Sequence, residues 1–301
     1  MESARETKGM SVSALLVLGS CTSLQFGAAL AMQLFPALGT WGVTALRLSI
    51  AAIILLIAIR PRVRGWTRAQ WVSIVAFGLA LATMNACFYA ALERIPLGTA
   101  VAIEFLGPLV LAAVLSRRAA DLAWVGMALV GMVLIGIDAT LGERLDPVGV
   151  AFVLVAALMW AAYIRTSARA GSLVPGLGGL AMALVVASVV LLPFGVPATI
   201  RVAMHPHLLL LAVGTAVLAS VAPYTLEFIA LRRLPQRVFG VLLSLEPVIA
   251  ALAGWLLLAQ GITALKAAAI VLVVAASVGT TLGARRQPPA TATGALPIQP
   301  A

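Results

Sequence analysis

Four ionisable residues stand in sequence that is otherwise apolar: Arg47, Glu104, Glu227 and Glu246. A charge inside hydrocarbon costs about 2.5–3.5 kcal/mol even on insertion scales, so such groups face a cavity or a partner and mark paths for ions or substrates. Glu104 lies seven residues in from the outer end of its apolar run, roughly 10 Å deep at about 1.5 Å per residue. Gly107 and Pro108 follow; the proline removes a backbone donor and the glycine loosens the helix, so carbonyls near Glu104 can open toward a cavity. The charge on such a carboxyl is set by burial against any nearby cation, and a group poised between the two can exchange a proton for substrate. Arg47 is at the same depth in an earlier run. It can pair with Glu104, offsetting part of both desolvation costs, or take a substrate carboxylate in its planar fork; snorkelling to the outer surface is the structural alternative. Glu246 precedes Pro247 near mid-membrane, a second position for a proton or a substrate ammonium. Glu227, close to Arg232 and Arg233 at an inner helix end, reads as an interfacial salt bridge. Gln25, Asn85 and Tyr224 can line the same path or bond between helices.

The elements that position these groups are membrane helices. The chain is 62% hydrophobic and 10% charged, with a mean hydropathy of +1.11, whereas a soluble domain is about 45–50% apolar and about 25% charged. Apolar runs long enough to cross about 30 Å can be read at about 11–34, 40–60, 70–92, 97–116, 122–139, 147–165, 176–198, 207–231, 236–259 and 264–283. Of the 20 Lys and Arg residues, fifteen fall on the side of the N-terminus, four on the other, and Arg47 lies within a span. That bias puts both termini in the cytoplasm. Arg5 and Lys8 before an apolar stretch could suggest a signal peptide, but the run continues past Ala28-Ala-Leu-Ala31 to Phe35. The net charge of +10 is spread in short clusters between spans, which argues against nucleic acid. Trp160 and Tyr163 fit an aromatic belt. Cys21 and Cys87 sit in apolar runs and fit neither a disulfide framework nor a metal quartet, and His205 and His207 lack further ligands.

The chain also repeats. Tyr89-Ala-Ala-Leu-Glu-Arg-Ile-Pro96 returns 139 positions later as Phe228-Ile-Ala-Leu-Arg-Arg-Leu-Pro235, and Leu106 and Pro108 match Leu245 and Pro247. Each half holds five spans, an odd number, so the second half enters the membrane inverted. Such repeats place a substrate site between the halves near mid-membrane, often at broken helices; Gly107, Pro108 and Pro247 are the expected breaks. Asn85 and Tyr224 occupy equivalent positions, whereas Glu246 falls opposite Gly107. The fold expected is all-α integral membrane, ten transmembrane helices in two inverted five-helix repeats, over 1–140 and 141–284, with a disordered cytoplasmic tail at 285–301.

These segments resemble the drug/metabolite transporter superfamily, in its ten-span branch with two EamA-type repeats. The likeness is carried by Phe88 to Gly98 running into Ala102 to Pro108, by Ser116-Arg-Arg118 and Trp160 to Ile164, and by Ala222 to Glu227, Leu231 to Pro235, Phe239-Gly240 and Ser244 to Pro247. Within that branch the chain is similar to the bacterial threonine/homoserine exporter group. The resemblance implies efflux of small amino acids and related metabolites across the inner membrane, driven by protons, without enzyme activity or cofactor. One departure is Ala259-Gln260, where relatives often carry Gly-Glu.

The expected function is therefore a secondary transporter of small neutral amino acids working by alternating access. Its partners are the substrate, protons and the bilayer, with no nucleic acid and no obligate protein partner. An amphoteric substrate suits a dry site that holds Arg47 with Glu104 and Glu246, because each of its charges finds an opposite. The alternative is efflux of a lipophilic cationic drug, which Arg47 would repel. No phosphate-binding loop or nucleophile elbow is present to support an ATP-driven pump or a membrane hydrolase.

Overall fold

The computed structural model describes residues 2–95, 97–115, 119–140, 146–243, 245–246, 248–249 and 263–285. Among them every regular element is a helix, with no strand. α1 spans Glu2–Ile59, α2 Arg68–Leu92, α3 Leu97–Glu104, α4 Leu106–Leu115, α5 Ala119–Thr140, α6 Pro147–Leu173 and α7 Gly178–Met204. After α8 (Pro206–Ala216) comes a π-helical turn at Val217–Val221, then α9 (Ala222–Leu231), α10 (Gln236–Leu243) and α11 (Ala264–Arg285).

Local chemistry sets the boundaries. The two expected spans at 11–34 and 40–60 form one helical run broken at Gly39, whose φ of 68° favours a residue without a Cβ. The run stops at Ile59 because Arg60 precedes Pro61, a position that disfavours helix. α2 opens on a capping box: Thr67 Oγ1 accepts from the Gln70 N–H, and the Gln70 side chain accepts from the Thr67 N–H. α6 opens on Asp146, whose carboxylate accepts from the Val148 N–H at 2.8 Å, with Pro147 beginning the helix. The Val148 N–H and the Arg94 guanidinium hold the Asp146 carboxyl below its usual range.

Five helices among the described residues are long and apolar enough to cross a membrane: Gln33–Ile59, Arg68–Leu92, Pro147–Leu173, Gly178–Met204 and Pro206–Leu231. Large apolar side chains such as Leu15, Ile57, Val114, Leu158 and Leu210 point outward, while the polar groups of the site are buried. That arrangement suits a lipid solvent. α1 packs on α7, α8 and α9, α2 on α6 and α7, α4 on α10, and α5 on α11. Small residues let these helices approach closely: a Cβ on Gly107 would come within 1.9 Å of the Ala157 carbonyl oxygen, and one on Gly27 within 2.5 Å of the Ala219 nitrogen.

The helix ends gather on two opposite faces, each tied by polar contacts. On one, Gln70 Nε2 donates to Leu173 O at 2.8 Å and Arg232 Nη1 to Gly176 O at 2.9 Å. On the other, Arg94 pairs with Asp146 at 3.1 Å, Arg201 Nη1 donates to Ala37 O, and Thr40 Oγ1 to Glu93. Pro247, the Ala259-Gln260 departure and the tail expected beyond Arg285 lie outside the described residues.

Candidate functional site

The cavity is built around two interruptions in helices. α3 ends at Glu104 and α4 resumes at Leu106, with Phe105 between them. Pro108 has no N–H to offer the Glu104 carbonyl one turn back, and Gly107 seats this stretch against α6 at Ala157. The second interruption was not singled out as a break in the sequence. Pro223 follows the π-helical turn, so carbonyls in that turn lose their helical donor. Side chains of α1 supply the missing donors: Ser23 Oγ donates to Leu218 O at 2.7 Å, and Arg47 Nη1 to Ala219 O at 3.0 Å.

Between these interruptions lies a cavity of about 90 Å³. Its polar lining is Gln25, Arg47, Asn85, Glu104, Tyr224, Glu227 and Glu246, and Phe88, Tyr89 and Trp160 add aromatic walls. All six residues expected on the path (Gln25, Arg47, Asn85, Glu104, Tyr224 and Glu246) meet there. Arg47 is buried, donates to Asn85 Oδ1 as well as to Ala219, and lies 5.1 Å from the Tyr89 ring centroid, within cation–π range. Tyr224 OH donates to the same Asn85 oxygen at 3.0 Å, and Asn85 Nδ2 donates to Leu81 O at 2.8 Å. Asn85 thus joins the arginine to the second half of the chain. Arg47 Nε has no hydrogen-bond partner among the described residues.

The carboxyls are met differently. Glu246 Oε1 accepts from Gln25 Nε2 at 3.5 Å, and its Oε2 has no partner among the described residues. Glu104 is buried and shares the cavity with Arg47, but the two form no direct ion pair; among the described residues the recorded pair is Arg94–Asp146. The expected Arg47–Glu104 bridge is therefore replaced by a shared space, because the guanidinium is held by Asn85 and Ala219.

Two expectations for the inner side are corrected. Glu227 makes no surface bridge: it is 4% exposed while Arg232 and Arg233 face outward. Its Oε1 accepts from Ser20 Oγ at 2.7 Å and its Oε2 from Tyr163 OH at 2.8 Å. Tyr163 and Trp160 are core residues and not a belt; Trp160 packs edge-on to Phe105 with centroids 4.6 Å apart. Counting residues gives depth along a helix but not the direction of a side chain, so one turn from a helix end could not separate these outcomes.

Among the described residues, a helical bundle with an apolar exterior and a small cavity lined by ionisable groups at broken helices defines a multi-pass membrane protein. Residues 147–282 match the EamA-like transporter family. The chain is 39% identical over 277 residues to the threonine/homoserine exporter RhtA of Salmonella typhimurium (strain LT2), covering 91% of this chain and 92% of that one. It is 37% identical over 276 residues to RhtA of Escherichia coli (strain K12), with the same coverage. A solved crystal structure aligns with a TM-score of 0.71 at 22% identity, over 92% of this chain and 98% of its own, a likeness of fold. The chain belongs to the EamA-like transporter family, whose members named here are transporters and not enzymes.

Proposed function

We propose that this protein is a proton-coupled exporter of small neutral amino acids, with threonine and homoserine as the leading substrates, in the bacterial inner membrane with both termini cytoplasmic. The observation that carries the reading is the cavity. It offers a guanidinium and carboxyls within about 90 Å³, in a chain alike over nine-tenths of its length to exporters bearing those substrates' names. Drug-sized ligands take about 300–1,000 Å³, several times this space, so its size counts against a lipophilic drug, and its mixed lining of guanidinium and carboxyls matches both ends of a zwitterion. In this reading Arg47 Nε meets the substrate carboxylate, and Glu246 and Glu104 meet its ammonium.

The architecture proposed is ten spans in two inverted repeats, 1–140 and 141–284. Several features support it. Asn85 and Tyr224, equivalent in the repeat and 139 positions apart, hydrogen-bond to each other, as residues beside a two-fold axis would. The packing of α2 on α6 has its counterpart in α8 and α9 on α1, and α4 on α10 and α5 on α11 pair equivalent spans. Such halves can rock about the cavity, giving alternating access. The count of three carboxyls to one arginine favours a cationic substrate as the second reading, and the same assay addresses it.

The test is efflux from cells expressing the chain, loaded with dipeptides and followed by mass spectrometry of the medium. Faster release of threonine or homoserine is expected, and Glu104→Gln at equal membrane level abolishes it. No change for any amino acid sinks the substrate assignment and turns the screen to organic cations.

A further inference from the structure

We infer that Glu227, held by Ser20 and Tyr163, is the proton-carrying carboxyl of the cycle and acts as a latch between the two halves, separate from the groups that contact substrate. The inference deepens the proposed function and rests on it.

The three cavity carboxyls differ in what holds them. Glu246 has one long hydrogen bond and an oxygen without a partner among the described residues, and Glu104 lies buried in the same cavity. Glu227 has each oxygen occupied by a hydroxyl, Ser20 Oγ and Tyr163 OH, and no ion pair among the described residues. A hydroxyl both donates and accepts. The surroundings of Glu227 can therefore satisfy the carboxylate, by donating to it, and the acid, by accepting its O–H. An arginine partner could do only the first.

Ser20 carries the means of changing roles. Its hydroxyl has a second acceptor in place, Pro223 O at 3.4 Å. With Glu227 ionised, Ser20 donates to the carboxylate. When a proton entering through the cavity binds Oε1, Glu227 donates to Ser20, whose hydrogen turns to Pro223 O. No covalent bond is made or broken; one proton enters from one side of the membrane and leaves to the other. Pro223 O belongs to the helix just after the π-helical turn whose carbonyls Arg47 and Ser23 hold. The proton thus changes a bond between α1 in the first half and α9 in the second, where the halves must part in alternating access.

The titratable and charged groups around Glu227 are Cys21 on α1, Tyr163 on α6, Tyr224 on α9 and Glu246, with Arg47 across the cavity on Asn85. Arg47 is tied elsewhere, and among the described residues no cation pairs with Glu227.

The experiment uses the purified full chain in liposomes with radiolabelled threonine. Two modes are read: counterflow at equal pH on both sides, and uptake or efflux driven by a pH gradient, with an internal pH dye reporting proton movement. Glu227→Gln should retain counterflow and lose gradient-driven transport by about tenfold, and the dye response to a threonine gradient should vanish. Glu227→Gln that keeps its gradient response, or loses both modes while still folded by circular dichroism, overturns the inference. If Glu227→Gln does not fold, Ser20→Ala and Tyr163→Phe decide: each keeps the carboxyl and should move the pH midpoint of gradient-driven transport without abolishing counterflow, and an unmoved midpoint in both overturns it. Absence of threonine counterflow in the unaltered protein sinks the amino-acid reading together with the inference, whereas active counterflow with an unresponsive Glu227→Gln sinks the inference alone.

Discussion

The Arg47 corner of the cavity holds a base, Glu246 and Glu104 are acids in the same space, and the two kinds of group are built on opposite plans. Arg47 is tethered: one nitrogen reaches the freed carbonyl of Ala219, another Asn85, and the ring of Tyr89 lies beside it. Glu246 and Glu104 are both buried, and Glu246 has one 3.5 Å hydrogen bond and an oxygen without a partner among the described residues. Buried polar groups are normally paired, and each exception asks for an explanation. The contrast teaches that the cation is a fixed part of the wall, holding a carbonyl freed by a broken helix, while binding of mobile cations is proposed for the carboxyls.

The largest expected effect is at Arg47. Arg47→Lys keeps the charge but cannot reach Asn85 and Ala219 with one fork. Charge-assisted hydrogen bonds contribute about 1.5–3 kcal/mol each, so the variant should melt well below the parent in detergent and lose transport. A lysine variant with parental melting and efflux would break the comparison, since Arg47 would then be a charge and not an anchor. Glu246→Gln should act the other way. Melting should change little, because the amide retains the contact to Gln25, while half-saturation for threonine rises about tenfold, the ratio that a lost 1.4 kcal/mol sets. Concentration-dependent counterflow measures it, and a variant that melts early with unchanged affinity would make Glu246 structural. The smallest effect lies outside the cavity, at Asp146. Its folded-state affinity for a proton is lowered by Val148 and Arg94, so its contribution to stability is present above the unfolded value of about 3.9 and is lost as pH falls through the folded value. Melting of the parent and Asp146→Asn should differ slightly at pH 7 and converge in acid; a difference that persists at low pH would show that the cap, and not the charge, matters.

Much of this contrast was legible from residue types. An ionisable group in an apolar run has few tolerable surroundings, so Arg47, Glu104 and Glu246 announce an internal polar space before any fold is known. Gln25, Asn85 and Tyr224 reach the same cavity. The partners of those groups were not legible. Arg47 was expected to pair with Glu104 or contact substrate, and Glu227 to bridge Arg232 or Arg233. In the structure Asn85 takes the first role, and hydroxyls from α1 and α6 take the second. Pro223 carried a signal for the break in the second half that Pro108 carried for the first, but the π-helical turn before it depends on the α1 side chains that occupy its carbonyls.

Composition and hydropathy by themselves decide that this chain is a helical membrane protein, because no water-soluble core could bury so much apolar surface and its apolar runs have the length of membrane-crossing helices. Which buried group faces which was decided only by tertiary structure. The direction of a side chain is set by the rotation and close approach of helices far apart in sequence, such as Ser20 beside Glu227 or Asn85 beside Tyr224, and hydrogen bonds act over a few ångströms that residue counting along one helix does not resolve.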